Sequence, residues 1–258
     1  MQLLFIISVA PVAVIGWFIW SRDKEKESSK LLVRLFCGGL FSCVLVVLVS
    51  WILDFLFPAI SNLNSSQGFI PLLFNVFVGI ALVEEFCKWL MVYTLSFKHK
   101  EFDYFYDGIV YSVFVALGFA CIENLIYVLS SGIGTGILRA VLAVPGHACD
   151  GIFMGYYLGL AKIADLHGRK KEKSLNLFLS ILVPTLLHGI YDYCLMTENA
   201  FFIIAFFAFV IVMYVISFKR VKRVSDIKRK IIYRNTYCPN CGRAVESDYC
   251  PNCGYKHE

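Results

Sequence analysis

Charge is what this sequence has little of. Asp, Glu, Lys and Arg make up only 17% of its 258 residues, apolar side chains make up 59%, and the mean hydropathy is +0.69. A soluble domain carries roughly 25% charged residues, so the composition excludes one and describes a polytopic membrane protein. Seven apolar stretches, 3–20, 31–57, 70–97, 108–129, 136–163, 175–196 and 200–218, are long enough to cross a bilayer core as helices, which takes about 20 residues each. The expected fold is therefore all-α, with about seven transmembrane helices.

Basic residues are missing from every second loop. The connections 58–69, 130–135 and 197–199 contain no Lys or Arg, whereas the intervening ones carry Arg22, Lys24, Lys26, Lys30 and Arg34, then Lys98 and Lys100, then Lys162, Arg169, Lys170, Lys171 and Lys173. The stretch after the seventh span holds Lys219, Arg220, Lys222, Arg223, Lys228, Arg229, Lys230 and Arg234. Lys and Arg in short loops favour the cytoplasm, which puts the N-terminus outside and the C-terminus inside. A basic region ahead of the first apolar segment is also missing; the charges follow it, which favours a retained N-out helix over a cleaved signal peptide.

Near the C-terminus, Cys238-Pro-Asn-Cys241 and Cys250-Pro-Asn-Cys253 repeat one unit, each followed by glycine, Gly242 and Gly254. Two CxxC knuckles match a tetrahedral structural zinc site, and a segment this short folds mainly on metal binding. A closed site of four thiolates has no open position for substrate, so a structural or protein-binding role is expected, with a cytoplasmic protein as partner. Nucleic acid is not the expected ligand: Arg243 and Lys256 stand against Glu246, Asp248 and Glu258. The other cysteines, Cys37, Cys43, Cys87, Cys121, Cys149 and Cys194, are scattered singly through apolar helices and read as packing residues.

Within the apolar spans the few polar groups recur at matching depth. The third supplies Glu84, Glu85 and Lys88, the fourth Glu123 and Asn124, the fifth His147 and Asp150, the sixth His188 and Asp192. A charged side chain costs at least about 2.5 kcal/mol at mid-bilayer, so these groups must face the bundle interior. At about 1.5 Å per residue from the outer ends, Glu123 and His188 lie roughly 10–15 Å deep and His147 and Glu84 roughly 15–20 Å, close enough to converge. Lys88 can pair with either glutamate along one helix face. Adjacent helical residues diverge by about 100°, so one glutamate should face a reaction centre while the other secures Lys88 or a neighbouring helix. Asp192 at i+4 from His188, and Asp150 at i+3 from His147, could each hold an imidazole in one tautomer. Such groups suit metal-assisted hydrolysis, with His147, His188 and Glu123 as candidate zinc ligands and Glu84 or Glu85 as general base. Pro145 and Pro184 could bend their helices and open a pocket.

Glu84-Glu85-Phe-Cys-Lys88 resembles the EExxK motif of the PrsW-type intramembrane proteases, relatives of the CAAX prenyl endopeptidase and bacteriocin-immunity superfamily. Phe119 to Asn124 resembles that family's FxxxEN motif, Pro145-Gly146-His147 its third, and His188 to Asp192 its HxxxD motif, all in order. The resemblance implies an intramembrane endopeptidase acting on a single-pass membrane protein, an anti-sigma factor, in a bacterial stress response. It implies that Glu84, Glu85, Glu123 and His188 are essential, with His147 and Asp192 next, and it brings Lys88 and Asn124 in as motif members. The wider superfamily often has His where this chain has Glu123, so metal-dependent and metal-free glutamate mechanisms both stay open. The expected organisation is a protease-like membrane domain over 1–218 with its motif-bearing core at 70–196, a basic linker over 219–236 and a zinc ribbon over 237–258, in the cell membrane of a bacterium. A proton- or ion-coupled transporter is the alternative from another class, although no internal repeat is visible; a non-catalytic scaffold recruiting partners through the ribbon is a third.

Overall fold

A computed structural model describes residues 2–57, 68–227, 236–238, 240–241, 243–245 and 252–255. The apolar runs fold as α1 (Gln2–Arg22), α2 (Ser29–Leu56), α3 (Phe69–Phe74), a π-helical stretch (Asn75–Ala81), α4 (Leu82–Ser96), α5 (Phe105–Val141), α6 (Ala143–Leu166), α7 (Lys170–Met196) and α8 (Ala200–Ser225). Polar residues at the boundaries start two of them: the Ser28 side chain accepts from the Leu31 amide ahead of α2, and Asn199 accepts from the Phe201 amide ahead of α8. Both satisfy amide donors that a helix N-terminus leaves unpaired.

Among the described residues, six stretches are long and apolar enough to cross a membrane, and the 62-residue one, Phe105–Leu166, is folded in two. Gly132 has φ 84° and ψ −169°, a conformation essentially confined to glycine, in the middle of what would otherwise be one helix. A side chain at Gly136 would lie 3.0 Å from Val128, eight residues earlier and about 12 Å away along a straight helix. The chain therefore reverses at Gly132, so the expected fourth and fifth spans are an antiparallel pair and the expected seven are present. The second break is at Leu142, where Tyr214 donates to the Val141 and Leu142 carbonyls at 2.9 Å. Pro145, expected to bend its helix, sits in the first turn of α6 instead, where a missing amide proton costs nothing.

The pair α5 and α6 makes the most extensive helix contact, and α5 also packs on α1, α2 and α4, which makes it the centre of the bundle. Close approach is possible because glycines face each other: a Cβ at either Gly108 or Gly155 would collide with the other's backbone carbonyl. Outward faces carry Trp17, Val47, Trp51, Phe55 and Ile204, all exposed, as lipid-facing surfaces require. The isolated cysteines are free, with Cys87, Cys149 and Cys194 buried.

In the C-terminal segment, β1 (Thr236–Tyr237) pairs antiparallel with β2 (Ala244–Val245). Cys238, Cys241 and Cys253 gather with their sulfurs all within 4.8 Å of one another. Gly254, after the second knuckle, has φ 72°. Cys250 and Gly242, expected in the same ribbon, lie outside the described residues.

Candidate functional site

The π-helical stretch leads straight into the paired glutamates. Its widened turn is closed by the Leu82 amide donating to the Phe77 carbonyl five residues back, and such stretches are frequent at functional sites. A turn later both glutamates reach Lys88, whose Nζ lies 2.7 Å from Glu85 Oε1 and 3.4 Å from Glu84 Oε2. Their surroundings differ. Glu85 is fully buried, whereas Glu84 keeps 16% of its side chain exposed and lines a cavity of about 520 Å³. Lys88 is itself fully enclosed, with Nζ 3.9 Å from the centre of the Phe119 ring.

Three helices bring their polar groups to this pair. From α7, His188 Nδ1 lies 2.8 Å from Glu85 Oε1, and its Nε2 lies 3.3 Å from Asp192 Oδ2 and 3.8 Å from Glu84 Oε2. Asp192 thus reaches the imidazole as its i+4 spacing predicts. From α6, His147 behaves otherwise: its Nδ1 lies 3.3 Å from Lys88 Nζ and its Nε2 2.7 Å from Glu123 Oε2. Glu123 on α5, not Asp150, holds that ring. An ammonium can only donate, so the lone pair of the ring lies at Nδ1, on the Lys88 side, and Nε2–H is turned to Glu123.

Asp150 is buried with Oδ1 lacking a hydrogen-bond partner, and Glu85 Oε2 is in the same condition. Each such orphan is expensive in an apolar interior. Ligand atoms of Glu85, His147, Asp150 and His188 lie within 4.8 Å of one another, all four residues buried. Two imidazoles with two carboxylates are a donor set that suits zinc, and each of the two carboxylates has an oxygen without a partner. Glu123 is not one of the four.

Asn124 faces away from the cavity. Its Nδ2 donates to the Ser8 carbonyl of α1 at 3.0 Å and its Oδ1 accepts from Arg139 Nε at 3.2 Å. Arg139 itself lines the cavity and pairs with Glu123. Sequence spacing gave no hint of that, because the pairing depends on the reversal at Gly132. Asp150 carried a signal, its i+3 relation to His147, but for a different partner. The cavity extends past Tyr127, Arg139 and Asp192 to Thr135 and Met196, towards the end of the bundle where Gly132 reverses the chain.

A family profile described as PrsW family intramembrane metalloprotease matches residues 27–218. Among curated proteins, the chain is 38% identical to "Protease PrsW" of Oceanobacillus iheyensis over 84% of its own length and 94% of that protein's. It is 34% identical to the protein of that name from Clostridioides difficile (90% and 95% covered), and 37% identical to that from Geobacillus kaustophilus (74% and 79%). No solved structure matches the chain. The matched region contains every polar residue of the buried site, within a bundle of membrane-length helices. The chain belongs to the PrsW family of intramembrane metalloproteases, and it is a multi-pass membrane protease.

Proposed function

We propose that the chain is a metal-dependent endopeptidase that cuts a single-pass membrane protein at the buried cluster, with Glu84 as general base. The observation that carries this is the set of four buried ligand atoms from Glu85, His147, Asp150 and His188 at one cavity, two of its carboxylates bearing unpartnered oxygens. These four residues would hold the metal, which when bound polarises a scissile carbonyl and acidifies water.

The remaining chemistry belongs to the side chains. Glu84 is the glutamate that faces the cavity, so it is positioned to take a proton from the attacking water and return it to the leaving amine. Lys88 holds Glu85 and Glu84 along one face, offsetting charge that would otherwise accumulate in an apolar interior. Asp192 backs the Nε2 side of His188, which leaves Nδ1 turned to Glu85 and the metal position, and Glu123 backs His147 in the manner usual for carboxylates behind ligating imidazoles. Asn124 serves through Arg139 and α1 and not by touching substrate. A peptide bond within a helix is shielded by its own hydrogen bonds, so the substrate must unwind before it is cut.

Loop charges support an orientation with the Gly132 reversal outside and the ribbon in the cytoplasm of a bacterial cell membrane. In that orientation cleavage falls near the extracytoplasmic side of the substrate, for which we propose an anti-sigma factor of a stress response, as the family resemblance suggests. The ribbon would bind a structural zinc through Cys238, Cys241, Cys250 and Cys253 and present a surface to a cytoplasmic protein. The domain division is the membrane unit 1–218, the linker 219–236 and the ribbon 237–258.

The test is cleavage of a single-pass substrate by the full chain in vesicles, together with its zinc content. Glu84→Gln, Glu85→Gln and His188→Ala should each abolish cleavage in a folded protein. His147→Ala/His188→Ala should in addition lose one of two zinc equivalents. Cleavage by all three single variants, or unchanged zinc in the double one, overturns the proposal.

A further inference from the structure

Arg139 is the lone cation on the segment between Gly132 and Leu142, and the reversal at Gly132 lays it over the start of the site. Its Nη2 stands 2.9 Å from Glu123 Oε2, its Nε donates to Asn124 Oδ1 at 3.2 Å, and its guanidinium covers the Tyr127 ring at 4.0 Å. Only 15% of the side chain is exposed. The oxygen it meets, Glu123 Oε2, is the one that His147 Nε2 approaches at 2.7 Å. A single carboxylate oxygen thus joins a permanent cation to an imidazole whose other nitrogen points to Lys88 and the buried cluster.

We infer that Arg139 is a positioning residue of the protease: it holds Glu123 so that His147 keeps Nε2–H towards Glu123 and Nδ1 towards the reacting centre. The inference rests on the proposed site. Its physical basis is charge balance at a fixed place. Glu123 is mostly buried, and a carboxylate there needs a cation within contact distance. Lys88 cannot serve, because it is engaged by Glu84 and Glu85 on the far side of His147. Without Arg139, Glu123 has no fixed counter-ion and is free to rotate towards the 520 Å³ cavity beside it, releasing the ring. Asn124 completes the arrangement by fixing the guanidinium in rotation and tying it to Ser8. Arginine suits the task because its permanent charge stands against Glu123 while its Nε donates to Asn124.

The experiment measures kcat and KM for a single-pass substrate with the full chain in vesicles. Arg139→Gln should lower kcat by about 10- to 100-fold, the usual cost of losing a group that orients a ligating side chain, with KM changed little. Glu123→Gln should show a similar loss, and the charge-neutral pair Glu123→Gln/Arg139→Gln should be no slower than Glu123→Gln alone, since both act through one ring. Arg139→Lys should recover part of the rate. Should Arg139→Gln fail to fold, the neutral pair and Arg139→Lys carry the same comparison. Losses that multiply in the double variant, or a kcat for Arg139→Gln equal to that of the unaltered chain, overturn the inference. Glu84→Gln, run alongside, separates the two failures: if it is inactive while Arg139→Gln is normal, the Arg139 role alone is wrong, and if it cleaves normally, the proposed site is wrong.

Discussion

Lys88→Met places the sharpest demand on the buried cluster. The substitution preserves the apolar stem and removes the charge. Glu85 Oε1 lies 2.7 Å from Lys88 Nζ with neither side chain more than 1% exposed. At an effective dielectric of 20, an ion pair at that distance is worth about 6 kcal/mol, and removing one partner of a buried pair costs about 3–5 kcal/mol in practice. Some of that loss is offset by His188 Nδ1, which already stands 2.8 Å from the same oxygen. Glu84 and the Phe119 ring lose the same cation at 3.4 Å and 3.9 Å. Lys88→Met should therefore destabilise the folded bundle by about 3–5 kcal/mol, and Lys88→Met/Glu85→Gln should recover most of it by deleting the orphaned charge. Denaturant unfolding in detergent micelles, followed by tryptophan fluorescence, reads both variants. A single variant as stable as the unaltered chain, or a double variant no better than the single, would refute the reasoning that these two groups form a mutually dependent buried pair.

Three further outcomes follow from other parts of the molecule. Burial, then the neighbouring Asp107 carboxylate, pushes Glu27 up to about 9, and burial pushes Asp23 up to about 6. Each binds more protons folded than unfolded, so their contribution to stability is fullest below pH 4 and falls as pH rises, until about 6 for Asp23 and about 9 for Glu27. A melting-temperature series should show Glu27→Gln making the decline between pH 6 and 9 shallower, and a decline of unchanged slope would count against the assignment. Gly132→Ala should destabilise by about 1–3 kcal/mol, because its backbone conformation is one that a side chain strains; denaturant unfolding checks it. Cys238→Ser/Cys241→Ser should remove one zinc equivalent by metal analysis while most cleavage persists, and loss of cleavage would tie the ribbon to catalysis.

Glu84, Glu85, Lys88, His147 and His188 are legible in the sequence because an apolar chain tolerates ionisable residues only where they face one another, so scarcity itself points to them. Helix spacing predicts the Lys88 pairs and the His188–Asp192 contact, since those partners share one helix face. It fails wherever a partner comes from another helix. Asp150 lies near His147 in sequence, yet Glu123 holds the ring, and Asn124 turns from the cavity to Ser8 and Arg139. Periodicity fixes the direction of a side chain about its own axis and says nothing of which neighbour waits there.

About seven membrane-spanning helices, polar groups gathered at one depth and four motifs in the order of a known protease family can all be read along the chain without its fold. These properties are encoded locally, in hydropathy, spacing and residue type. Packing was needed to show that Glu84 faces the cavity while Glu85 is sealed behind it, that Asp150 joins the candidate ligands, and that Arg139 reaches Glu123. Each depends on how one helix is rotated and set in register against another, as the fold-back at Gly132 does for Arg139 and Glu123, and that relation exists only once the helices pack.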